Sequence, residues 1–107
     1  MDSPTDGQAV TPEPRTFLVE RYWPDVDESR AREMADSLTG AATAMAAEGI
    51  PVEHVGSILM PRDLVTFSLI RATDEASARQ LTARAGTDLD RIAIAVRLSE
   101  GDECTAR

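Results

Sequence analysis

At 107 residues, with 42% hydrophobic residues, the chain suits a single domain with a modest core, and its formal net charge of −8 repels phosphate backbones and anionic lipid, which excludes nucleic-acid and membrane-surface roles. All eleven basic residues are arginine, so neither a lysine Schiff base nor a lysine general base is available. The lone cysteine, Cys104, can form no internal disulfide and no cysteine-rich zinc site, which fits a reducing, cytoplasmic setting.

Residues 1–15 carry Pro4, Gly7, Pro12 and Pro14 and little that can be buried. They read as a disordered leader, without the basic and apolar regions of a signal peptide. Residues 16–22 alternate and are rich in strand formers, so they form the first strand, ended by Pro24. Asp27 caps a first helix whose Ala31, Met34, Ala35, Leu38, Ala42 and Met45 repeat at helical spacing. Gly49 closes that helix and Pro51 stops it. Gly40 lies inside it at a cost of about 1 kcal/mol relative to alanine, which points to a close approach of another element or to a mild bend. Residues 52–60 and 64–72 are strands joined by a hairpin turn at Pro61-Arg62-Asp63. Asp74 caps a second helix with Ala78, Leu81 and Ala85 inward, and Gly86 closes it. Residues 91–99 form the last strand, with Ile92, Ile94, Val96 and Leu98 inward and Ala93, Ala95 and Arg97 on the other face. Residues 100–107 read as a disordered acidic tail, and no apolar run approaches the ~18 residues of a membrane span.

The order strand, helix, strand, strand, helix, strand defines an α+β, ferredoxin-like βαββαβ domain over residues 16–99, an antiparallel sheet with both helices on one face. Assigning the most apolar alternation to the helix side places Phe17, Val19, Val65, Phe67 and Leu69 there, along with the last-strand aliphatics. The open face then carries Leu18, Glu20, Tyr22, Thr66, Ser68, Ile70, Ala93, Ala95 and Arg97. A half-apolar face of this kind needs a cover, and pairing of two sheets into a homodimeric α+β barrel supplies one. Small residues there leave a cavity with a few polar groups, the general form of a ligand site.

Within that cavity Glu20 and Arg97 form an ion pair or, if Glu20 is desolvated, a general base and its partner. Tyr22 and Ser68 are placed to orient a ligand. His54, the only histidine, sits in a strand whose alternation is too even to fix its face. Trp23, at a strand end, reads as a rim residue.

The strand Phe17-Leu18-Val19-Glu20-Arg21-Tyr22 with Pro24, the helix exit Glu48-Gly49-Ile50, the helix entry Arg71-Ala72-Thr73-Asp74-Glu75-Ala76 and the exit Arg84-Ala85-Gly86 carry a resemblance. Together they resemble a family of small bacterial ferredoxin-like proteins of largely unknown function, related to nickel-binding dimeric α+β barrel proteins. The resemblance implies histidines at the end of the first strand and on the second helix of the nickel-binding branch. Here those stretches carry Arg21, Thr82 and Gly86, none of which replaces an imidazole, so no metal residue is assigned.

No phosphate loop, cofactor motif or nucleophile–base pair stands out, and no cofactor is expected. The leading expectation is a small non-catalytic homodimer that holds a partly apolar small molecule between its sheets or serves as an accessory subunit. Its ligand-binding residues are Glu20, Tyr22, Ser68, Arg97 and His54. The alternatives are a cofactor-free isomerase, cyclase or monooxygenase-like enzyme using Glu20, Tyr22 or His54 for proton transfer, and a nickel-binding protein.

Overall fold

The computed structural model describes residues 13–98 and follows the expected order: β1 (Arg15–Tyr22), α1 (Glu28–Ala47), β2 (Val52–Met60), β3 (Val65–Ala72), α2 (Glu75–Arg84) and β4 (Arg91–Ala95). Most of the expected leader and all of the acidic tail lie outside the described residues. The four strands form one antiparallel sheet in the order β2-β3-β1-β4, the arrangement of the ferredoxin-like fold.

Local chemistry sets the helix ends. The carboxylates of Asp27 and Asp74 accept hydrogen bonds from the Arg30 and Ser77 amides, each at 2.8 Å, which satisfies amides that have no partner within the helix. Both helices end in a Schellman turn. At α1, the Ile50 amide reaches the Met45 carbonyl (2.9 Å) across Gly49, whose φ is 91°. At α2, the Thr87 amide reaches the Thr82 carbonyl (3.0 Å) across Gly86, whose φ is 72°. A bidentate Arg84–Glu48 pair, with both contacts at 2.6 Å, then ties the two helix ends together and holds the Glu48 carboxyl below its usual value.

Helices and sheet bury Phe17 and Val19 of β1 against Met34, Leu38 and Met45 of α1, with Ile70 of β3 and Leu81 of α2 completing the core. The register corrects the expected facing of β3. Phe17 pairs with Ile70 and Val19 with Ser68, and directly opposed residues share a face. Thr66, Ser68, Ile70 and Ala72 therefore lie under the helices and are buried, whereas Val65, Phe67 and Leu69 turn to the open face. The reason is volume. The methionine and leucine side chains of α1 need room, and the smaller side chains of Thr66 and Ser68 leave it, with the Thr66 hydroxyl donating to Met34 Sδ at 3.8 Å.

The last strand is also shorter than expected. It ends at Ala95, and of the four aliphatics assigned inward only Ile92 packs against the core, while Ile94, Val96 and Leu98 are exposed. α1 lies closest to β2 and α2 to β3, so neither helix reaches over the end of β4.

Gly40 faces solvent, and a Cβ built on it meets no atom within 4 Å, so close approach does not account for it. Gly40→Ala is expected to stabilise the fold by roughly 0.5–1 kcal/mol, read as a higher denaturation midpoint in thermal or urea unfolding.

Candidate functional site

The two faces of the sheet present different chemistry. On the open face, Leu18, Val55, Ile58, Met60, Phe67 and Leu69 line a shallow, almost wholly apolar concavity of about 460 Å³. On the edge strand β2, Ile58 is 57% exposed and Met60 41%, a large apolar display. The face is more apolar than expected, because the corrected register of β3 brings out Phe67 and Leu69 and withdraws Thr66 and Ser68.

Glu20 and Tyr22 share this face with Leu18 by alternation along β1. Arg97 is not the partner of Glu20. β4 pairs Glu20 with Arg91, and the guanidinium–carboxylate distance is 3.6 Å. Ala95, the last residue of β4, already pairs with Thr16 near the other end of β1, so Arg97 lies beyond the strand and well away from Glu20. The end of β1 is instead locked by Asp90, whose carboxylate accepts from the Tyr22 amide (2.6 Å) while its own amide donates to the Glu20 carbonyl (2.8 Å).

His54 and Ser68 belong to the helix face. His54 pairs with Ile70, and a β-bulge between His54 and Gly56 inserts one residue, after which Ser57 pairs with Ser68. In a regular strand, residues three apart point to opposite faces; the bulge brings His54 and Ser57 to the same one. A hydrogen-bonded chain results. His54 Nδ1 lies 2.8 Å from the Thr39 hydroxyl, His54 Nε2 lies 2.8 Å from Ser57 Oγ, and Ser57 Oγ lies 2.7 Å from Ser68 Oγ.

Burial sets its direction. Ser68 is buried and has no other side-chain hydrogen bond among the described residues, so its hydroxyl donates to Ser57; in the tautomer with Nδ1–H donating to the exposed Thr39 oxygen, Ser57 in turn donates to Nε2. The reverse direction would leave the Ser68 proton buried without an acceptor. Desolvation pushes the half-buried imidazole below the usual histidine value, with an opposing effect from a backbone hydrogen bond at Gly56. A neutral imidazole accepting from a serine hydroxyl is a base–nucleophile pair, and a cleft of about 340 Å³ between α1 and β2 is lined by Ser57 with Met34, Ala35, Leu59 and Thr66. The spacing of the two residues conceals this pair in the sequence. The available signal is Gly56 itself, since a glycine inside a strand marks a bulge.

The residues expected to share a single site thus divide: Glu20 and Tyr22 lie on one face, His54 and Ser68 on the other, and Arg97 beyond the sheet. Among the described residues, no group of three or more His, Cys, Asp or Glu side chains stands close enough to hold a metal ion, and no helix is long and apolar enough to cross a membrane.

Compared by sequence, the chain matches no protein-family model and no curated protein. Among solved structures, it superposes on SCO4226 from Streptomyces coelicolor A3(2) with a TM-score of 0.61 at 14% identity, over 79% of this chain and 99% of that one. A second superposition, on AtUAH in complex with glyoxylate, has a TM-score of 0.38 at 16% identity and spans 78% of this chain but 27% of that one, too loose a match to carry weight. The first likeness establishes a shared small α+β fold.

The depressed histidine carries a pH signature. The unfolded chain titrates His54 near 6.5 and the folded chain lower, so between those values the unfolded state binds more protons. Stability is therefore fully present above about pH 6.5 and falls as the pH drops through the folded value. Urea unfolding of wild type and His54→Gln between pH 7.5 and about 5 is expected to show a steeper loss in the wild type.

Proposed function

We propose that this protein is a homodimeric binding protein that pairs through its open sheet face and encloses an apolar small molecule between the two sheets. The observation that carries this reading is the uncovered concavity of Leu18, Val55, Ile58, Met60, Phe67 and Leu69, about 460 Å³ in volume, on a face that neither helix covers. Leaving such a patch in water is costly at roughly 25 cal/mol per Å² of apolar surface, and a second sheet or a hydrophobic ligand removes that cost. Glu20, paired with Arg91, and Tyr22 stand on the same face and supply the polar groups that orient a ligand. Arg97, His54 and Ser68 have no part in this cavity.

Native mass spectrometry and sedimentation test the proposal together. The wild type is expected to run as a dimer at micromolar concentration and to retain a hydrophobic molecule that denaturation releases. Phe67→Asp and Leu18→Asp place a carboxylate in the centre of the face and are expected to give monomers or aggregates without the ligand. A wild type that stays monomeric and takes up no hydrophobic probe would overturn the reading.

The Ser57–His54 hydrogen bond favours one second reading, a small cofactor-free enzyme whose base is His54 and whose nucleophile is Ser57. Labelling by a serine-reactive fluorophosphonate, lost in both Ser57→Ala and His54→Gln, is its expected signature. A wild type that resists labelling would remove it.

A further inference from the structure

Arginine pairing across the molecule is uneven. Arg32, Arg71, Arg79, Arg84 and Arg91 each meet a carboxylate, as a chain with a net charge of −8 readily allows. Arg15, Arg62, Arg21 and Arg30 form no ion pair among the described residues, and of these Arg21 and Arg30 stand together. Both line the same cleft, about 320 Å³ in volume, between the first half of α1 and the turn that follows α2.

Arg21 is held rigidly there. It lies on the helix side of β1 by alternation with Phe17 and Val19, and it is partly buried. Its guanidinium carbon sits 3.8 Å from the centroid of the Trp23 ring, and Nη1 donates to the Thr87 hydroxyl at 2.7 Å. Trp23 is in turn anchored by its amide, which donates to the Leu64 carbonyl at 2.7 Å, and Thr87 by the Schellman turn across Gly86. A stacked, hydrogen-bonded guanidinium keeps most of its five donors for another acceptor in a fixed plane.

Arg30 comes from the first turn of α1, and the Ser37 hydroxyl and Glu33 carboxylate lie further along the same wall. Glu33 contacts neither arginine closely enough to form an ion pair, so the cleft keeps a net positive charge in an acidic protein. A partly desolvated guanidinium without a counter-charge is costly, and an anionic ligand removes that cost.

We propose that this cleft binds a small oxyanion, a carboxylate or phosphoryl group, in bidentate contact with Arg21 and in ionic contact with Arg30, against the Trp23 ring. The Thr87 and Ser37 hydroxyls flank the site, and Glu33 disfavours ligands carrying more than one anionic group at that end. The site is on the opposite side of the sheet from the apolar concavity and does not depend on it.

Trp23 is the chain's single tryptophan, so its emission reports this cleft alone. Titration with inorganic phosphate and, separately, with acetate at constant ionic strength is expected to give a saturable change in emission, matched by calorimetric heat. The tighter of the two identifies the phosphoryl or the carboxylate class. Arg30→Gln, at an exposed helix position that the fold does not need, is expected to weaken binding by about tenfold, and Arg21→Gln to abolish it. Arg62→Gln, in the β2–β3 hairpin and outside the cleft, is expected to bind as the wild type does. A wild type silent to both anions by fluorescence and calorimetry at millimolar concentration would overturn the proposal. So would an affinity unchanged in both Arg21→Gln and Arg30→Gln.

Discussion

Both faces of this sheet take their chemistry from the register of β1 against β3, in which Phe17 sits opposite Ile70 and Val19 opposite Ser68. Side chains alternate with a period of two, so a slip of one residue would exchange every group on β3 between the faces. The observed register buries the smaller set, Thr66, Ser68 and Ala72 with Ile70, beneath a helix that contributes Met34, Leu38 and Met45. Small side chains of β3 leave room for those of α1, as where the Thr66 hydroxyl meets Met34 Sδ. The consequence appears on the other side, where Val65, Phe67 and Leu69 are left for solvent, a ligand or a partner.

The bulge in β2 does comparable work at smaller scale. By adding one residue between His54 and Gly56, it places a histidine and a serine that regular alternation would separate on the same side, within 2.8 Å. Their chain continues to buried Ser68 and exposed Thr39, so it satisfies a polar group inside the core, while the desolvation that comes with this half-buried position depresses the basicity of the imidazole. The open face, by contrast, carries two cross-strand ion pairs, Glu20 with Arg91 and Glu53 with Arg71, beside a field of aliphatic and aromatic surface. A site combining Glu20, Tyr22 and His54 is ruled out by the sheet that lies between them.

Charge is distributed with the same economy. On the helix exteriors, i,i+4 pairs such as Glu28–Arg32 and Glu75–Arg79 are solvated and contribute little to stability. The cleft at the end of β1 differs because Trp23 and Thr87 orient Arg21, and neither Arg21 nor Arg30 forms an ion pair among the described residues, although Glu33 lines the same cleft. Orientation without neutralisation is what distinguishes a binding position from a surface charge.

The sequence by itself determined the elements and their order. Asp27 and Asp74 as caps, Gly49 and Gly86 as helix exits, the hairpin after Met60 and the stripe through Met34, Leu38 and Met45 are all governed by interactions within a few residues, which local chemistry makes legible. From those elements the βαββαβ order and the ferredoxin-like sheet followed. Facing was a different matter. β3 offers Val65, Phe67 and Leu69 on one side against Thr66, Ser68 and Ile70 on the other, and hydrophobicity favours burying the first set. Only the volume that α1 requires, a property of two elements packed together, decided for the second. The side on which His54 lies, the partner of Glu20, the end of β4 at Ala95 and the meeting of Arg21 with Trp23 and Thr87 were settled in the same way, by pairings between residues far apart in the chain that no local pattern encodes.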